Sequence, residues 1–509
     1  MPPLKLAIIG GGPSAFYVAS RLLSLLPQSS SRGSALKIHM YDRLWAPYGL
    51  VRYGVAPDHP EVKNCTHKFA EAAEDPRLRF FGNVNISTSS ASPPPIPDTL
   101  PLPLSSLLPH YTHVLLSTGC PIPILHPALP PSAHCLPALS LVHWYTAHPA
   151  RPRTPPPLER TKHVALIGQG NVSLDVARML LTPPSELAKY DVPRPVLSVL
   201  ERSAVEHVSI VGRRGPFQAA FTTKELREMM NLPDAAMEPL DPQLLVAPEG
   251  VQVTRQQSRT IQLLQKGSKN KPGTTKKTWS LDFFRSPTGL TTPTSPAEKS
   301  RLTLAHTTLD ASSRAVPTGE STTLDTDLVI TSLGHRAEPT APWYDPALGH
   351  LRTIGGGRVV DAHGRRVRNV YASGWAAMGA RGVLASTMMD AYAVADTVLR
   401  DCFPGEDAPT TPMGEADADA EKARDAAGGE AQAQAESVEV LPKEGNVDVE
   451  SVPPEVEEGW REGRVTDFED WKAVDGEEVR RGEALGKERE RMVWEEAREF
   501  LSTVRSRRG

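Results

Sequence analysis

Apolar residues concentrate in two stretches of the chain that share one pattern. The first runs from Lys5 to Leu26 and the second from Lys162 to Leu181. Each opens with a short apolar run, passes through a glycine turn and then places apolar residues at helical spacing, as a buried parallel strand followed by a helix does. The proline-rich stretches 92–103 and 121–157 between them are expected to be loops. The pattern therefore predicts two separate β-turn-α openings.

A third apolar unit lies late in the chain. Residues Thr326–Gly334 predict one strand, and a later strand is expected to end at Ser373–Gly374, ahead of a long apolar helix from about Gly382. The polar stretch 255–325 carries only short strand-like pieces, so we expect a peripheral sheet or meander there. The late unit is expected to return to the first domain.

Charge changes the picture beyond about residue 404. Residues 405–458 are rich in Ala, Glu, Asp, Gly and Pro and hold 16 acidic against 3 basic side chains. Such a composition buries too little apolar surface to fold, so it predicts a disordered acidic insertion. Because the whole chain carries −4, the remainder carries +9, and a positively charged body attracts acidic partners. Helical periodicity returns near Trp460, which predicts a C-terminal cap.

Length and composition limit the class of protein. The 509 residues suffice for two or three domains, and 39% apolar with 23% charged residues is ordinary for a globular chain. No apolar run reaches the roughly 18 residues of a membrane span. The chain enters a strand at once, so no presequence is visible. Its four cysteines show no C-x-x-C pair and no metal-ligand spacing, which predicts neither a metal site nor a redox disulfide.

The first glycine turn predicts a dinucleotide site. Gly10, Gly12 and Ala15 fit G-x-G-x-x-A between a strand and a helix. The first glycine permits a tight turn, the second lets a pyrophosphate approach the backbone, and the alanine keeps the helix close to the strand. The helix N-terminus offers free N–H groups to the phosphates. Asp42, at the end of the next strand, is expected to bind the ribose hydroxyls.

The second glycine turn is succeeded by basic residues instead of an acid. Gly168, Gly170 and Ser173 repeat the fingerprint less perfectly, and the next strand ends in Arg213 and Arg214, where a NAD site would place an acid. Two guanidinium groups there suit the 2′-phosphate of NADPH, although a solvated basic turn has the same sequence. Two different sites imply two nucleotides, most simply FAD in the first unit and NADPH in the second.

The segment Tyr48–Asn64 comes after the first unit and combines glycines, prolines, an arginine, an aspartate and a histidine. A flavin on the first unit needs its ring held by residues beyond the pyrophosphate turn. This segment is placed to do so, with Leu50 near the ring. Pro57 and Pro60 are expected to define its path, because proline fixes φ and restricts the residue before it.

Six stretches, in this order along the chain, resemble a known family. They are "PYGLVRYGVAPDHPEVKN", "LIGQGNVSLDVARMLLTPP", "VGRRGPFQAAFTTKELREM", "FFRSP", "RAVPTGE" and "GWAAMGARGVLASTM". Together they resemble the NADPH:adrenodoxin (ferredoxin) oxidoreductases of the mitochondrial type, over residues 4–403 and again from near Asp467. The resemblance implies an α/β fold with two Rossmann-like dinucleotide-binding domains, in the glutathione-reductase-like flavoprotein architecture. The expected parts are 1–120 (FAD-binding domain, first part), 121–334 (NADP-binding domain with a peripheral polar segment), 335–404 (FAD-binding domain, returning part), 405–458 (disordered acidic insertion) and 459–509 (C-terminal cap).

The resemblance also implies roles for individual residues. Contacts with FAD are expected at Ser14, Asp42, Leu50, Val84, Trp375, Gly382, Val383 and Leu384. Contacts with NADP are expected at Gln169, Gly170, Asn171, Val172, Arg213, Arg214 and Glu225, with Gly382 shared. His59 and Asp175 match residues near the flavin that are suspected of handling protons, although structural roles suit both equally. Arg227 matches a residue that contacts the acidic ferredoxin, or is an ordinary exposed arginine. Met378 and Arg381 depart from the family pattern on the nicotinamide side.

The activity implied is that of a flavoprotein that takes a hydride from NADPH onto FAD and passes electrons singly to a [2Fe-2S] ferredoxin. Such an enzyme would feed mitochondrial cytochrome P450, haem or iron-sulfur pathways. The resemblance places it in the mitochondrial matrix, or peripherally on the matrix side of the inner membrane, with no nucleic-acid partner. Three alternatives remain open: a flavin disulfide reductase, which needs a cysteine pair that the chain lacks, a flavin monooxygenase, and a non-catalytic nucleotide sensor or scaffold.

Overall fold

The computed structural model describes residues 3–88, 96–247, 252–293, 295, 298–404, 437–442 and 447–508. Within these ranges no helix is long and apolar enough to cross a membrane. The described strands are β1 Leu4–Ile9, β2 Leu36–Tyr41, β3 Leu78–Phe81, β4 Val84–Ser87, β5 Leu100–Pro103, β6 His113–Leu116, β7 Ile122–Pro123, β8 Cys135–Pro137, β9 His163–Ile167, β10 His207–Val211, β11 Ala235–Met237, β12 Lys277–Asp282, β13 Arg285–Thr291, β14 Ser300–Leu309, β15 Ala315–Thr326, β16 Leu328–Thr331, β17 His335–Arg336, β18 Tyr344–Asp345, β19 His350–Leu351, β20 Thr353–Ile354, β21 Arg358–Val360, β22 Arg366–Ala372 and β23 Ser437–Val438.

Helices lie between and after these strands. They are α1 Pro13–Leu25, α2 Ser31–Ser34, α3 Leu50–Tyr53, α4 Cys65–Ala73, α5 Leu104–Leu107, α6 Ala138–Tyr145, α7 Asn171–Leu181, α8 Pro184–Leu187, α9 Arg194–Glu201, α10 Thr223–Met230, α11 Arg255–Lys266, α12 Trp375–Met378, α13 Leu384–Cys402, α14 Pro454–Arg461, α15 Phe468–Glu483 and α16 Trp494–Arg508.

The first large sheet combines early and late parts of the chain. Its strands run in the order β20-β21-β22-β6-β1-β2-β3, and the neighbours from β22 to β3 pair in parallel. Helices α1 and α13 pack together on one face, where Phe16, Val18, Val394 and Val398 are buried in a common core. The first apolar opening and the late apolar unit therefore build one body.

The second large sheet lies between these two parts in sequence. Its order is β11-β12-β10-β9-β16-β8, and every neighbouring pair is parallel. Val164 and Leu166 of β9 pack with Leu174 of α7 on one face. Leu302 and Leu304 of the antiparallel sheet β13-β14-β15 pack against the other face. The second opening is thus the centre of a separate parallel sheet.

Two stretches expected to be loops contain regular structure. Within residues 92–103 lies β5, and within 121–157 lie β7, β8 and α6. The prolines fall where a missing N–H is tolerated, since Pro137 is the N-cap of α6 and Pro103 the N-cap of α5. Leu102 is fully buried, so burial outweighs the local proline signal.

The polar stretch 255–325 is only partly peripheral. It contains α11, and β12 lies inside the second parallel sheet because Trp279 and Leu281 are buried in the core. Only β13, β14 and β15 form a separate sheet of the kind expected, and its strands pair antiparallel.

The acidic stretch 405–458 is ordered in part, contrary to expectation. Residues 405–436 and 443–446 lie outside the described residues. Residues 437–442 and 447–458, which composition assigned to the disordered insertion, are ordered: β23 pairs with β22, and α14 begins at Pro454. Val452 and Val456 are buried in the core, and the Lys5 ammonium donates to the Asp448 carbonyl oxygen at 2.6 Å. These apolar anchors are too sparse for a compositional average to reveal.

The segment Tyr48–Asn64, called the joint loop below, is clamped by buried charges. The Arg52 guanidinium donates to both carboxylate oxygens of Glu478 in α15, at 2.6 and 3.0 Å, and the Glu478 side chain is fully buried. Arg491, which precedes α16, donates to the Arg52 carbonyl oxygen at 2.6 Å and pairs with Asp191 of the second unit. The C-terminal cap therefore holds the joint loop from one side.

Glu478→Ala is expected to destabilise the protein by about 3–5 kcal/mol, because it leaves the Arg52 guanidinium buried without its counter-charge. Chemical unfolding measures this loss. Glu483→Ala is the matched control, since Glu483 lies on the same helix but is exposed, and it should change stability by less than about 0.5 kcal/mol. Equal effects of the two substitutions would contradict the clamp.

Candidate functional site

The first glycine turn joins the carboxyl end of β1 to the start of α1. Gly10 has φ of +108°, and a Cβ there would collide with the Ser117 carbonyl oxygen. Gly12 differs, because a Cβ on it would meet no atom within 4 Å, and no side chain caps the helix. Gly10 is thus required by the fold, whereas Gly12 leaves the helix N-terminus open to a ligand. Ala15 is fully buried, as its packing role predicts.

Asp42 lies beside this turn at the end of β2. Its carboxylate accepts hydrogen bonds from Gly11 N–H at 2.7 Å and from Leu44 N–H at 2.9 Å. Burial raises the pKa of Asp42 to about 6, and these backbone bonds only partly offset it. Val84 donates its N–H to the Asp42 carbonyl oxygen at 2.8 Å, while its side chain is 1% exposed. Asp42 therefore holds the turn in place. Because the Val84 side chain is buried, Val84 would affect a nucleotide by positioning Asp42 and not by touching the nucleotide itself.

An open rim surrounds the first turn. The joint loop starts directly on it, since a Cβ on Gly49 would lie 3.0 Å from the Gly12 Cα. Leu50 is 39% exposed and Val383, the N-cap of α13, is 58% exposed. Apolar side chains left exposed beside an open helix N-terminus are typical of a site for a ligand with an apolar ring. Gly382, at φ of +82°, is exposed next to them.

The other flavin-side residues approach the same turn. Trp375 begins α12 and is half-buried, and Leu384 begins α13. The Ser14 hydroxyl on α1 donates to the Ser373 hydroxyl at 2.9 Å, two residues before Trp375. The structure therefore brings the early and late segments together at Ser14, in the first turn of α1.

The second glycine turn repeats this geometry at the carboxyl end of β9. Gly168 has φ of +124°, and a Cβ there would collide with the Ser332 carbonyl oxygen, whereas a Cβ on Gly170 would meet no atom within 4 Å. Asn171 accepts from Thr222 N–H at 2.8 Å, and Gln169 donates to the Ile210 carbonyl oxygen at 3.1 Å. These two side chains brace the turn, and Val172 is half-buried beside it.

Arg213 and Arg214 come after the carboxyl end of β10, next to the second turn. Both are exposed, and among the described residues no ion pair involves either guanidinium group. Arg213 is fixed through its carbonyl oxygen, which accepts from the Thr307 hydroxyl at 2.8 Å. A fixed backbone with two free guanidinium groups is an arrangement suited to a phosphate.

A buried charge cluster joins the joint loop to the second unit. His59 Nε2 lies 2.6 Å from Glu228 Oε2, and the ligand atoms of His59, Asp175 and Glu225 lie within 4.8 Å of one another. The Arg178 guanidinium contacts four carboxylates of this cluster: Asp58 at 2.5 Å, Asp175 at 2.9 Å, Glu228 at 3.2 Å and Glu225 at 3.4 Å. The loop is therefore held against α7 and α10.

Sequence reasoning identified three members of this cluster and missed Asp58, Arg178 and Glu228. A signal existed for two of them, because Arg178 lies three positions after Asp175 and Glu228 three positions after Glu225. Residues three apart on a helix share a face. Nothing in the sequence reveals that Asp58 meets Arg178.

The cluster shifts the pKa values of its members. Burial and the nearby Asp175 carboxylate raise the pKa of Glu225 to about 7. Burial disfavours the charged form of His59, but the hydrogen bond to Glu228, together with the charges of Asp58 and Glu228, outweighs burial and raises the pKa of His59. Burial likewise raises the pKa of Asp175. The Glu225 carboxyl is therefore a group of this cluster whose proton occupancy changes near neutral pH.

Arg227, the residue matched to a ferredoxin contact, is exposed on α10.

The four cysteines are all free thiols. None of them forms a disulfide, and Cys120 is buried with its pKa raised to about 12 by burial. The described residues therefore offer no redox disulfide near the turns.

Two largely parallel sheets each have an open glycine turn at a strand's carboxyl end, and one loop contacts the first turn and the second unit. This arrangement defines the class: α/β oxidoreductases that bind two dinucleotides.

Comparison with known proteins agrees with this class. No family model matches the chain. It is 34% identical to human mitochondrial NADPH:adrenodoxin oxidoreductase over 96% of this chain and 90% of the human protein. It is also 34% identical to the NADPH-ferredoxin reductase FprA of Mycobacterium tuberculosis, over 79% of this chain and 84% of that protein. The structure of FprA in complex with NADPH superposes with a TM-score of 0.75 at 29% identity, covering 98% of this chain and 99% of that one.

The chain belongs to the NADPH:adrenodoxin oxidoreductase family. The resemblance and the α/β fold with two Rossmann-like units, both expected from the sequence, are confirmed.

Glu228→Gln is expected to lower the pKa of His59, because a neutral amide stabilises the imidazolium less than a carboxylate does. Histidine NMR titration, with His59→Gln to assign the signal, measures the change. Glu186→Gln, which alters an exposed carboxylate paired with Lys189, should leave it unchanged. An unaltered His59 titration in Glu228→Gln would contradict the pairing.

Proposed function

We propose that this chain is an NADPH-dependent flavoprotein reductase that delivers electrons singly to a [2Fe-2S] ferredoxin. The observation that carries the proposal is the pair of open glycine turns joined by one loop. Each turn leaves space where a pyrophosphate would lie, and only the second is followed by two free arginines. Family membership supports the same assignment.

The residues present at the first turn fit FAD. Gly12 and Ser14 would hold the pyrophosphate, Asp42 the ribose, and Leu50, Trp375 and the segment Gly382–Leu384 the ring. The exposed apolar surface of Leu50 and Val383 suits an aromatic ring and would lose its contact with water on binding. When bound, FAD supplies the exchange between two-electron and one-electron chemistry that no side chain can perform.

The second turn fits NADPH. Gly170, with Gln169, Asn171 and Val172, would hold the pyrophosphate, and Arg213 and Arg214 would hold the 2′-phosphate by charge-assisted hydrogen bonds. Glu225, whose carboxylate lies 3.9 Å from His59 Nε2 of the joint loop, is a further proposed NADPH contact. We assign the FAD-binding body to residues 1–120 and 335–404 and the NADP-binding body to residues 121–334.

The chain's own part in turnover is to align the two sites and to hold protons. The joint loop touches the first turn through Gly49 and the second unit through His59, so it sets the spacing between the sites. A cavity of about 310 Å³, lined in part by His59, Arg178 and Glu228, adjoins the cluster. We propose that His59, which lines this cavity, takes up or releases a proton there, with the Glu225 carboxylate nearby and Asp175 oriented by Arg178.

The proposed partner is an acidic [2Fe-2S] ferredoxin that docks on the positively charged body, with the exposed Arg227 among its contacts. We further propose residence in the mitochondrion, which the names of several curated relatives support, either in the matrix or peripherally on the matrix side of the inner membrane. The electrons would serve cytochrome P450, haem or iron-sulfur pathways.

A coupled assay tests the proposal directly. The assay combines the purified chain with a [2Fe-2S] ferredoxin and cytochrome c. The chain should reduce cytochrome c only when ferredoxin and NADPH are both present. The rate should fall with added salt, because screening weakens attraction between opposite charges. Activity without ferredoxin but with an organic substrate and oxygen would favour a monooxygenase, and no reaction would favour a sensor.

Two matched variants separate the sites. Gly12→Val and Gly170→Val both place a side chain in open space at an extended backbone, so both proteins should fold. Gly12→Val should lose bound flavin, whereas Gly170→Val should retain flavin but lose reduction by NADPH. If both keep flavin and activity, the turns are not the nucleotide sites.

Arg214→Glu should lower kcat/KM for NADPH by about 10- to 100-fold, since one charge-assisted hydrogen bond is worth about 1.5–3 kcal/mol. The value for NADH should change little, because NADH lacks the 2′-phosphate. Arg160→Glu alters an exposed arginine at the opposite, amino edge of the second sheet and serves as the control. Unchanged discrimination in Arg214→Glu would remove Arg214 from the site.

A further inference from the structure

A hydrogen-bonded chain connects α13 with α1 behind the first turn. Asp390 Oδ2 accepts from Gly374 N–H at 2.7 Å and from the Ser373 hydroxyl at 3.1 Å. Ser373 in turn accepts from the Ser14 hydroxyl at 2.9 Å, and the hydroxyls of Ser14 and Ser117 lie 3.4 Å apart. One carboxylate therefore terminates a relay that crosses three elements.

The relay has one direction. A serine hydroxyl has a single proton, so Ser373 gives its proton to Asp390 and accepts from Ser14 with a lone pair. Ser14 thus gives its hydroxyl proton towards Ser373, while its backbone N–H stays at the open first turn of α1. The carboxylate is the only group in the relay that accepts without donating, so it fixes the orientation of every hydroxyl before it.

The element held by this carboxylate is a tight glycine turn. Gly374 has φ of +64°, and a Cβ there would lie 2.7 Å from the Ser14 Cβ. Gly374 and Ser373 are both buried. Without Asp390 the Gly374 N–H and the Ser373 hydroxyl would lose their acceptor in a buried place, and the turn would move relative to α1.

This turn sets the position of the residues assigned to the flavin ring. Trp375 comes directly after Gly374, and α13, which carries Asp390, begins at Leu384 with Val383 as its N-cap at the open rim. Asp390 lies in the second turn of α13. It therefore connects the segments proposed to hold the flavin ring with Ser14, which is proposed to hold the pyrophosphate.

We propose that Asp390 is a positioning residue for FAD, whose carboxylate holds the Gly374 turn against α1 and so keeps the ring-side and pyrophosphate-side halves of the site in register. This inference rests on the proposed function of the first turn. Asp390 need not touch the flavin to act in this way.

The test compares three variants of flavin-stripped protein titrated with FAD. Asp390→Ala should weaken FAD binding by about 10- to 100-fold, because bonds to a charged acceptor are lost. Asp390→Asn should bind FAD more tightly than Asp390→Ala does, since the bonds to the turn fall on one oxygen that an amide retains. Asp396→Ala is the control, because Asp396 lies on the same helix but pairs with Arg21 at 3.1 Å, away from the turn.

Thermal unfolding with and without FAD separates positioning from mere stability. A positioning role shrinks the FAD-induced rise in Tm of Asp390→Ala, whereas a purely structural role lowers both midpoints equally and leaves the rise unchanged. Three outcomes would overturn the inference: an FAD-induced rise in Tm that is unchanged in Asp390→Ala, wild-type FAD affinity in Asp390→Ala, or an Asp390→Asn variant that binds FAD as weakly as Asp390→Ala does. A wild-type protein that takes up no FAD would instead overturn the proposed function, and the inference with it.

Discussion

The relative placement of the two nucleotide units depends on a buried guanidinium. The Arg178 side chain is 5% exposed and contacts carboxylates from the joint loop, α7 and α10. A charge removed from water is tolerated only where opposite charges and hydrogen bonds surround it. The joint loop contributes Asp58 to a guanidinium group of the second unit, so this buried ion pair ties the loop to that unit.

A second set of buried charges holds the same loop from the opposite side. Arg52 pairs with Glu478, and Arg491 connects the Arg52 carbonyl oxygen to Asp191 of the second unit. Buried ion pairs add little net stability compared with apolar packing, but breaking one is severe, so they fix geometry. Transfer of a hydride needs reacting atoms about 3–3.5 Å apart, and a loop clamped from both sides by buried charges is consistent with the proposed alignment of the two sites.

The features that the sequence predicted well are local ones. The glycine turns, the strands that precede them and the arginines after β10 are encoded by residues only a few positions apart, and the structure assembles them as expected. The clamps were missed because their partners are distant: Asp58 lies 120 positions from Arg178, and Arg52 lies 426 from Glu478. Burial also overrode local signals in α6 and around Val452, where a few apolar contacts outweighed proline content or acidic composition. The roles of individual residues at the nucleotide sites stay predictions.

The glycines of the two fingerprints obey two different constraints, and the difference bears on function. Gly10 and Gly168 are required by the protein itself, since their positive φ and the carbonyl oxygens beside them exclude a side chain. Gly12 and Gly170 have extended backbones and open space, so the fold alone would accept Ser, Asp or Asn there. Those residues would cap the helices better, because they satisfy N–H groups that glycine leaves free. The two open N-termini therefore forgo stability within the chain, which is the arrangement expected where a phosphate completes the hydrogen bonding of each helix.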